Sequence, residues 1–401
     1  MITPISICII AKNEEEHMEA FMKSIKTAFL GKPVEIIVLD TGSKDATKKI
    51  AKRYADRVED FTWISDFSTA RNRSIELASN DWILVLDCDE MVMHANFDDT
   101  QRKHREHPDA LGQRLRHNHY QMNGTDGVYN DRVERLFNRK IFHYFEPIHE
   151  QVVPLDKDHE YVEAPIDVEV DHSGYLGSEE KKLAKAKRNN DILFDMLEKN
   201  PDNPNNPYIY FQIGQSYNMV NDQENAAKYF GKGLEFDVNP NLKYVHMMVQ
   251  AYGYSLLALK RYDEALQFEN IYDTFGDNAD FDCLMGLIYM RTNHILKAME
   301  QFLKATTYET SEVEGANSFL ARYNMGVINE ALGNNKDALM IYKACGAFKP
   351  ALERIAEIEK SEAGEACEAG EADEAGEAGS MNPCGNKDRV NSVKNDEETH
   401  S

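Results

Sequence analysis

Four glycines in the C-terminal half, Gly214, Gly253, Gly286 and Gly326, are each followed twelve residues later by an alanine: Ala226, Ala265, Ala298 and Ala338. Three of the four have an aromatic ring four residues further on, Phe230, Phe302 and Tyr342, and Tyr217 and Tyr289 stand three after their glycines. A residue without a side chain, held at fixed offset from a small residue and then a large ring, predicts paired helices that approach closely. The copies are offset by 33 to 40 residues, so the connections between them vary in length. One such helix pair cannot bury its apolar face alone, so the pairs must stack into an array.

That spacing is the one expected of tetratricopeptide helix–turn–helix units of about 34 residues. The array is expected over 205–352. The N-terminal half has a different rhythm. Ile5–Ile10, Val34–Leu39, Arg57–Phe61 and Trp82–Leu86 read as strands. Helical patterns separate them, with Met18, Phe21, Met22, Ile25 and Phe29 on one face of the first. Ser43 and Asp66 stand as candidate N-caps of the second and third. Nearly continuous apolar strands alternating with helices predict a parallel sheet covered on both faces. From about residue 92 to 175 the pattern weakens into strand-like stretches rich in His and Arg, expected to form an antiparallel half of the same domain. A helix over roughly Glu179–Lys199 leads out of it, and PDNPNNP (201–207) punctuates the chain. The α/β domain is thus expected over 1–204. The acidic, low-complexity residues 353–401 have too few apolar side chains to offset the entropy of ordering, which predicts a disordered tail.

The formal charge of −24 argues against general nucleic-acid binding, because phosphate is repelled wherever basic residues do not cluster. None of the six cysteines forms a CxxC pair, which suits free thiols in a reducing compartment. The opening residues MITPISICIIAKNEEE have no basic leader, and no apolar run approaches the ~20 residues of a membrane span. The expected location is the cytoplasm.

In parallel sheets ligands bind beyond the carboxyl ends of the strands. This focuses attention on Ala11 to Glu14, Asp40 to Asp45 and Asp87 to Glu90. Alternation along an extended chain would put Asp87 and Asp89 on one side and Cys88 on the other. Two carboxylates there make a hard oxygen site for Mg²⁺ or Mn²⁺, the kind of cation a departing diphosphate needs. Asp40 suits a base or a ribose, Gly42 a tight turn, and Asn13 and Glu14 the ligand edge of the sheet. Arg71 presents the planar fork that fits a diphosphate. Glu150, in PIHEQVV, is a candidate general base, and the absence of HExxH there excludes a zinc peptidase pattern. His172 is a candidate metal ligand. No Walker A loop and no GxGxxG follows the first strand, which removes support from ATPase and nicotinamide chemistry.

Taken in order, IIAKNEE, VLDTGSKD, DFSTARN, WILVLDCDE, FEPIHE, DHSGY and KAKRN resemble glycosyltransferase family 2 enzymes with a GT-A fold. The chain is most similar to the bacterial subgroup with tetratricopeptide repeats behind the catalytic domain, akin to the peptide S-glycosyltransferases of glycocin biosynthesis. The resemblance covers about residues 3 to 350. It implies a metal-dependent, inverting transfer from a UDP-sugar to an acceptor hydroxyl or thiol on a peptide, protein or cell-surface glycan. It implies a uracil contact for Asp40, a donor-binding strand edge formed by Ala11, Asn13, Glu14 and Ser43, and the DxD pair for Asp87 and Asp89. Asp89 and His172 would hold the Mg²⁺ or Mn²⁺, with Arg71 near the diphosphate and Glu150 as base. The family's ED motif and downstream QxxRW are missing, which argues against a processive polysaccharide synthase. A reading of another class is a tetratricopeptide scaffold whose α/β domain is inactive. A homodimer through the repeats and a peripheral membrane contact stay open.

Overall fold

The computed structural model describes residues 3–122, 125–172 and 179–361. By its internal contacts the chain falls into two compact units, residues 1–259 and 260–401. Among the described residues no helix is long and apolar enough to cross a membrane.

The first unit is built on an eight-stranded sheet. Its strands are β1 (Ile5–Ala11), β2 (Val34–Asp40), β3 (Arg57–Asp60), β4 (Trp82–Val85), β5 (Glu90–Ala95), β6 (Leu111–Met122), β7 (Thr125–Asn138) and β10 (Glu163–His172). The spatial order is β3-β2-β1-β4-β7-β6-β10-β5. The first four run parallel, β7 is antiparallel to both β4 and β6, and β10 is parallel to β6 and antiparallel to β5. β8 (Phe142–Phe145) and β9 (Gln151–Pro154) pair as a separate ribbon. This is a mixed α/β, GT-A-like sheet, parallel through residue 85 and mixed beyond it.

Both faces of the parallel part are covered, as its apolar strands require. Ile5, Ile7 and Ile9 point to one face, against Met18, Phe21, Met22 and Ile25 of α1 (Glu15–Ala28). Cys8 points to the other, which holds Ile37, Leu39 and Ala70. α2 (Thr47–Ala51) is shorter than its sequence pattern, and Ser43 is not its cap. α3 (Phe67–Glu76) begins at Asp66, whose side chain accepts from Thr69 N as expected of an N-cap. α4 (Phe97–Glu106) and α5 (Glu179–Lys199) complete the domain. Three helices follow in the same unit: α6 (Asn206–Met219), α7 (Gln223–Leu234) and α8 (Lys243–Ala258). Ile192 and Leu193 of α5 pack with Ile209 and Ile213 of α6 and with Ile148.

The glycine spacing has a direct structural cause. A Cβ on Gly214 would lie 2.4 Å from the Phe230 ring, on Gly286 2.6 Å from Phe302, and on Gly326 2.4 Å from Tyr342. Each glycine is therefore the seat of the ring sixteen residues on. All four alanines of the repeat are fully buried. The second unit contains α9 (Tyr262–Leu266), a 3-10 turn (Gln267–Ile271), α10 (Tyr272–Phe275), α11 (Ala279–Arg291), α12 (Ile295–Ala305), α13 (Phe319–Ala331) and α14 (Asn335–Lys343). The copy whose +16 position is Glu269 rather than an aromatic is the irregular one, its second helix broken at Gln267. A final helix covers residues 349–361, past the point where the tail was expected to begin. Ala351 and Ile358 bury against Tyr342 and Cys345, with Ile355 partly buried beside them, so this stretch has an apolar stripe to pack. The low-complexity run from 362 onward lies outside the described residues.

Gly286→Ala tests the seat directly. Alanine gains about 1 kcal/mol of helix propensity. Driving a methyl into the buried Phe302 ring costs more, about 1–3 kcal/mol, within a well-packed core. Chemical denaturation is expected to show a net loss of up to about 2 kcal/mol, and a variant more stable than the parent by the helix-propensity gain would contradict the close approach.

Candidate active site

The order β2-β1-β4 places a topological switch point between β1 and β4, where a crevice opens outside the strand ends. A cleft of about 790 Å³ lies there. Ala11, Glu14, Arg71, Asp87, Asp89, Glu150 and His172 all line it, brought together from positions spread over 160 residues of chain.

Asn13, Asp40 and Ser43 do not line it; they tie together the two loops that supply Ala11, Glu14 and Thr41 to it. Asn13 adopts a left-handed backbone (φ 57°), which asparagine tolerates better than most residues. Its N–H donates to Ser43 Oγ at 2.9 Å, and its Oδ1 accepts from Lys44 N at 2.8 Å. This clasp is what Ser43 does in place of capping α2. Asp40 Oδ1 accepts from Gly42 N and Ser43 N, at 3.1 and 2.9 Å, while the buried Oδ2 has no hydrogen-bond partner. Thr41, next in the chain, lines the cleft.

The acidic pair departs from the extended geometry expected of it. β4 stops at Val85, and residues 87–90 form a turn closed by Glu90 N donating to Asp87 O at 3.0 Å. The two carboxylates consequently have different surroundings. Asp87 meets Arg71 Nη2 at 2.8 Å and Arg135 Nη2 at 3.5 Å. Burial would raise the Asp87 carboxyl, but these two guanidiniums overcome it and hold it well below the usual carboxylate range. Asp89, more open, meets His172 Nε2 at 3.3 Å. Cys88 is buried and donates to Ile10 O; burial first, then Glu14 and the two aspartates, push its thiol far up, so it stays protonated. Burial, then the charge of Asp89, pushes the Glu14 carboxyl up to about 7.

Arg71 joins the two halves of the site. Its Nε donates to Glu150 Oε1 at 2.6 Å, its guanidinium lies 5.3 Å from the centre of the Tyr144 ring, and Nη1 is buried without a hydrogen-bond partner. Burial disfavours its charge, yet Asp87 and Glu150 outweigh that and strengthen its hold on the proton. Its neighbour Asn72 clasps the β8 edge, donating to Tyr144 O at 2.8 Å and accepting from Tyr144 N at 2.9 Å. Phe67 N donates to Pro147 O at 2.7 Å. The DFSTARN and FEPIHE segments are thus one physical assembly.

Residues that sequence reading missed sit on β6 and β7. Arg114, Arg116 and Asn118 alternate along β6, and period two puts them on one face. Arg114 is fully buried and pairs with buried Glu90, whose other oxygen accepts from Asp87 N at 3.0 Å. Arg116 grips Asp131 through two bonds of 2.9 and 2.6 Å. Asp131 also accepts from Asn118 Nδ2 at 3.0 Å. That fixes the amide, so Asn118 Oδ1 faces His172 Nδ1 at 2.8 Å. Nδ1 then donates to that oxygen, which turns Nε2 towards Asp89. The period-two RLRHN pattern was the available signal. Gln212, Gln215, Ser216, Asn218 and Met219 of α6 also line the cleft, as do Lys185 and Arg188 of α5. Lys185 and Arg188 belong to the KAKRN segment, but nothing in the local sequence marks the α6 residues, because α6 reads as an ordinary repeat helix.

A metal fits this donor set. His172 Nε2 and the Asp89 carboxylate, 3.3 Å apart, are a nitrogen and an oxygen donor that one divalent cation can join. Mg²⁺ commonly takes one or two protein ligands and completes its shell with water and phosphate oxygens. Among the described residues no group of three or more His, Cys, Asp or Glu side chains gathers as a metal site, so the protein's share would be this pair. Ser173, Gly174 and Tyr175 of the DHSGY segment lie outside the described residues.

Residues 6–147 match the glycosyl transferase family 2 profile. The N-terminal domain is a family 2 glycosyltransferase domain. A TPR repeat-containing protein of Synechococcus elongatus is 28% identical over 276 residues, 66% of this chain and 66% of its own length. The SPbeta prophage-derived glycosyltransferase SunS of Bacillus subtilis is 30% identical over 238 residues, 58% of this chain and 54% of its own. S. aureus TarS 1-349, solved in complex with UDP, aligns over 78% of this chain and 95% of that one, at 13% identity and a TM-score of 0.31. The matches span between half and two thirds of the length of these curated relatives. The glycosyltransferase profile ends at Pro147, so Glu150 and His172 lie beyond the matched segment.

Proposed function

We propose that the cleft binds a UDP-sugar and that the domain transfers the sugar, with inversion, to an acceptor hydroxyl or thiol. The observation that carries this reading is the convergence of Arg71, Asp87, Asp89, Glu150 and His172 on one cleft at the switch point. Asp89 and His172 would hold Mg²⁺ or Mn²⁺, which when bound neutralises charge on the departing diphosphate. Arg71 Nη1 is a donor without a protein acceptor, suited to a phosphate oxygen. Asp87 keeps Arg71 in place and is itself too strongly ion-paired to act as a base. Glu150 takes the proton from the acceptor as the nucleophile attacks the anomeric carbon. Its bond to Arg71 orients the carboxylate. Thr41, which follows Asp40 and lines the cleft, suits the base of the nucleotide.

The test uses the full chain with a panel of UDP-sugars. UDP release from one donor is expected in Mn²⁺ or Mg²⁺, with loss of that release on adding EDTA. Silence across the panel, with no UDP binding by calorimetry in either metal, would sink the reading.

A further inference from the structure

A second cleft, of about 390 Å³, adjoins the first. Ile148, His149 and Gln212 line both, so these three side chains are a shared wall. Consecutive residues split between them: Glu150 lines the first cleft and Gln151 the second. The loop carrying the wall is tightly held. Glu146 (φ 74°) and His149 (φ 55°) take left-handed backbone conformations that residues with side chains rarely adopt. Pro147 O, Tyr144 and Glu150 are each bonded to α3, at Phe67, Asn72 and Arg71 respectively. The backbone is thereby held in a shape that exposes His149 between the two clefts.

The second cleft has a different chemistry. Its walls include Met196 of α5, Tyr208 and Ile209 of α6, and Tyr244 of α8. Tyr208 and Tyr244 meet edge to face at 5.2 Å, and Gln212 Nε2 donates to Tyr208 Oη at 2.6 Å. Phe145 and Leu242, 54% and 43% exposed, also line it. A largely apolar, partly aromatic cavity whose polar groups are three side-chain amides, Glu146 and His149 suits an apolar group whose flanks carry hydrogen-bonding atoms.

We infer that this second cleft is an acceptor subsite that takes a bulky apolar or aromatic side chain of an extended peptide. The peptide backbone crosses the His149 wall, and the residue to be glycosylated lies beside Glu150. An occupant reaching both clefts needs a nucleophile and an apolar group a few residues apart, joined by polar atoms that Gln151, Gln212 and Asn205 can pair. An extended peptide meets all three needs, whereas a saccharide has no large apolar side group for these walls. The inference rests on the transfer reading for the role of Glu150, but not for the binding itself.

Two fluorescein-labelled decapeptide pools test it on the full chain. In one, a central serine or cysteine is flanked by Phe or Leu at each position in turn; in the other, Gln replaces the Phe or Leu. Fluorescence anisotropy is expected to show at least tenfold tighter binding of the apolar pool. Leu242→Arg, at an exposed rim outside the first cleft, is expected to abolish that preference and leave Mn²⁺-dependent UDP binding unchanged. Leu30→Arg, on an 81% exposed leucine elsewhere, controls for added charge and is expected to change neither. Equal binding of the two pools, or a preference that survives Leu242→Arg, would overturn the inference. A preference lost in Leu242→Arg by a protein that binds no UDP supports the subsite and counts against the donor reading alone.

Discussion

Arg71→Met is expected to destabilise the first unit by about 3–5 kcal/mol, the usual cost of stranding buried charge by removing one partner. Two carboxylates depend on this guanidinium, Asp87 at 2.8 Å and Glu150 at 2.6 Å, and both are largely buried. Arg135 remains beside Asp87 at 3.5 Å, which softens one loss, but Glu150 has no other ion pair among the described residues. Methionine fills much of the volume, so the effect reads charge rather than a cavity. Lysine at this position keeps one charge but not the planar fork, so Arg71→Lys is expected to fall between parent and Met in urea denaturation. In UDP release both variants are expected to lose on the order of a hundredfold or more, through the missing Nη donors at the diphosphate. A Met variant that unfolds at the parent's urea concentration would show that the arginine does not bridge the two halves of the site.

Asp89→Ala is expected to act in the opposite manner, with a large effect on binding and a small one on stability. Its side chain is 38% exposed, and the ion pair the structure gives it is with His172. Unfolding free energy should stay within about 0.5 kcal/mol, as for a surface change away from caps and core. Mn²⁺-dependent UDP binding should fall on the order of a hundredfold or more, because one of two protein donors is gone. Asn118→Leu probes the same donor pair one step removed. It frees the His172 ring and its tautomer, and about 10–100-fold in metal-dependent binding is the scale for losing such an outer partner. Calorimetry with UDP at fixed Mn²⁺ separates the cases. If Asp89→Ala titrates like the parent, the donor pair at the strand end is not where the cation sits.

What could be read from sequence followed from periodicity and from strand ends. Apolar runs at 5–10, 34–39 and 82–86 determine a parallel sheet, because only a surface covered on both faces can bury them. The Gly–Ala–aromatic spacing determines helix pairs, because a ring at +16 needs a missing side chain beneath it. The residues just after those strands were singled out by a rule that depends only on chain direction, so Asp87, Asp89 and Glu14 could be picked out without coordinates. The helical stretch 349–361 could not, since Ala351, Ile355 and Ile358 matter only once Tyr342 is there to receive them.

The rest was decided by tertiary structure, for one physical reason: side chains far apart in sequence meet only when register and packing bring them together. Whether Asp87 and Asp89 act alike depended on a turn after Val85, which gave one to two arginines and the other to a histidine. Which His172 nitrogen faces Asp89 was decided by a relay from Arg116 through Asp131 and Asn118, set by the pairing of β6 with β7 and β10. That a repeat helix lines the cleft was decided by α5 packing α6 against Ile148, a contact between residues with no local signature beyond being apolar.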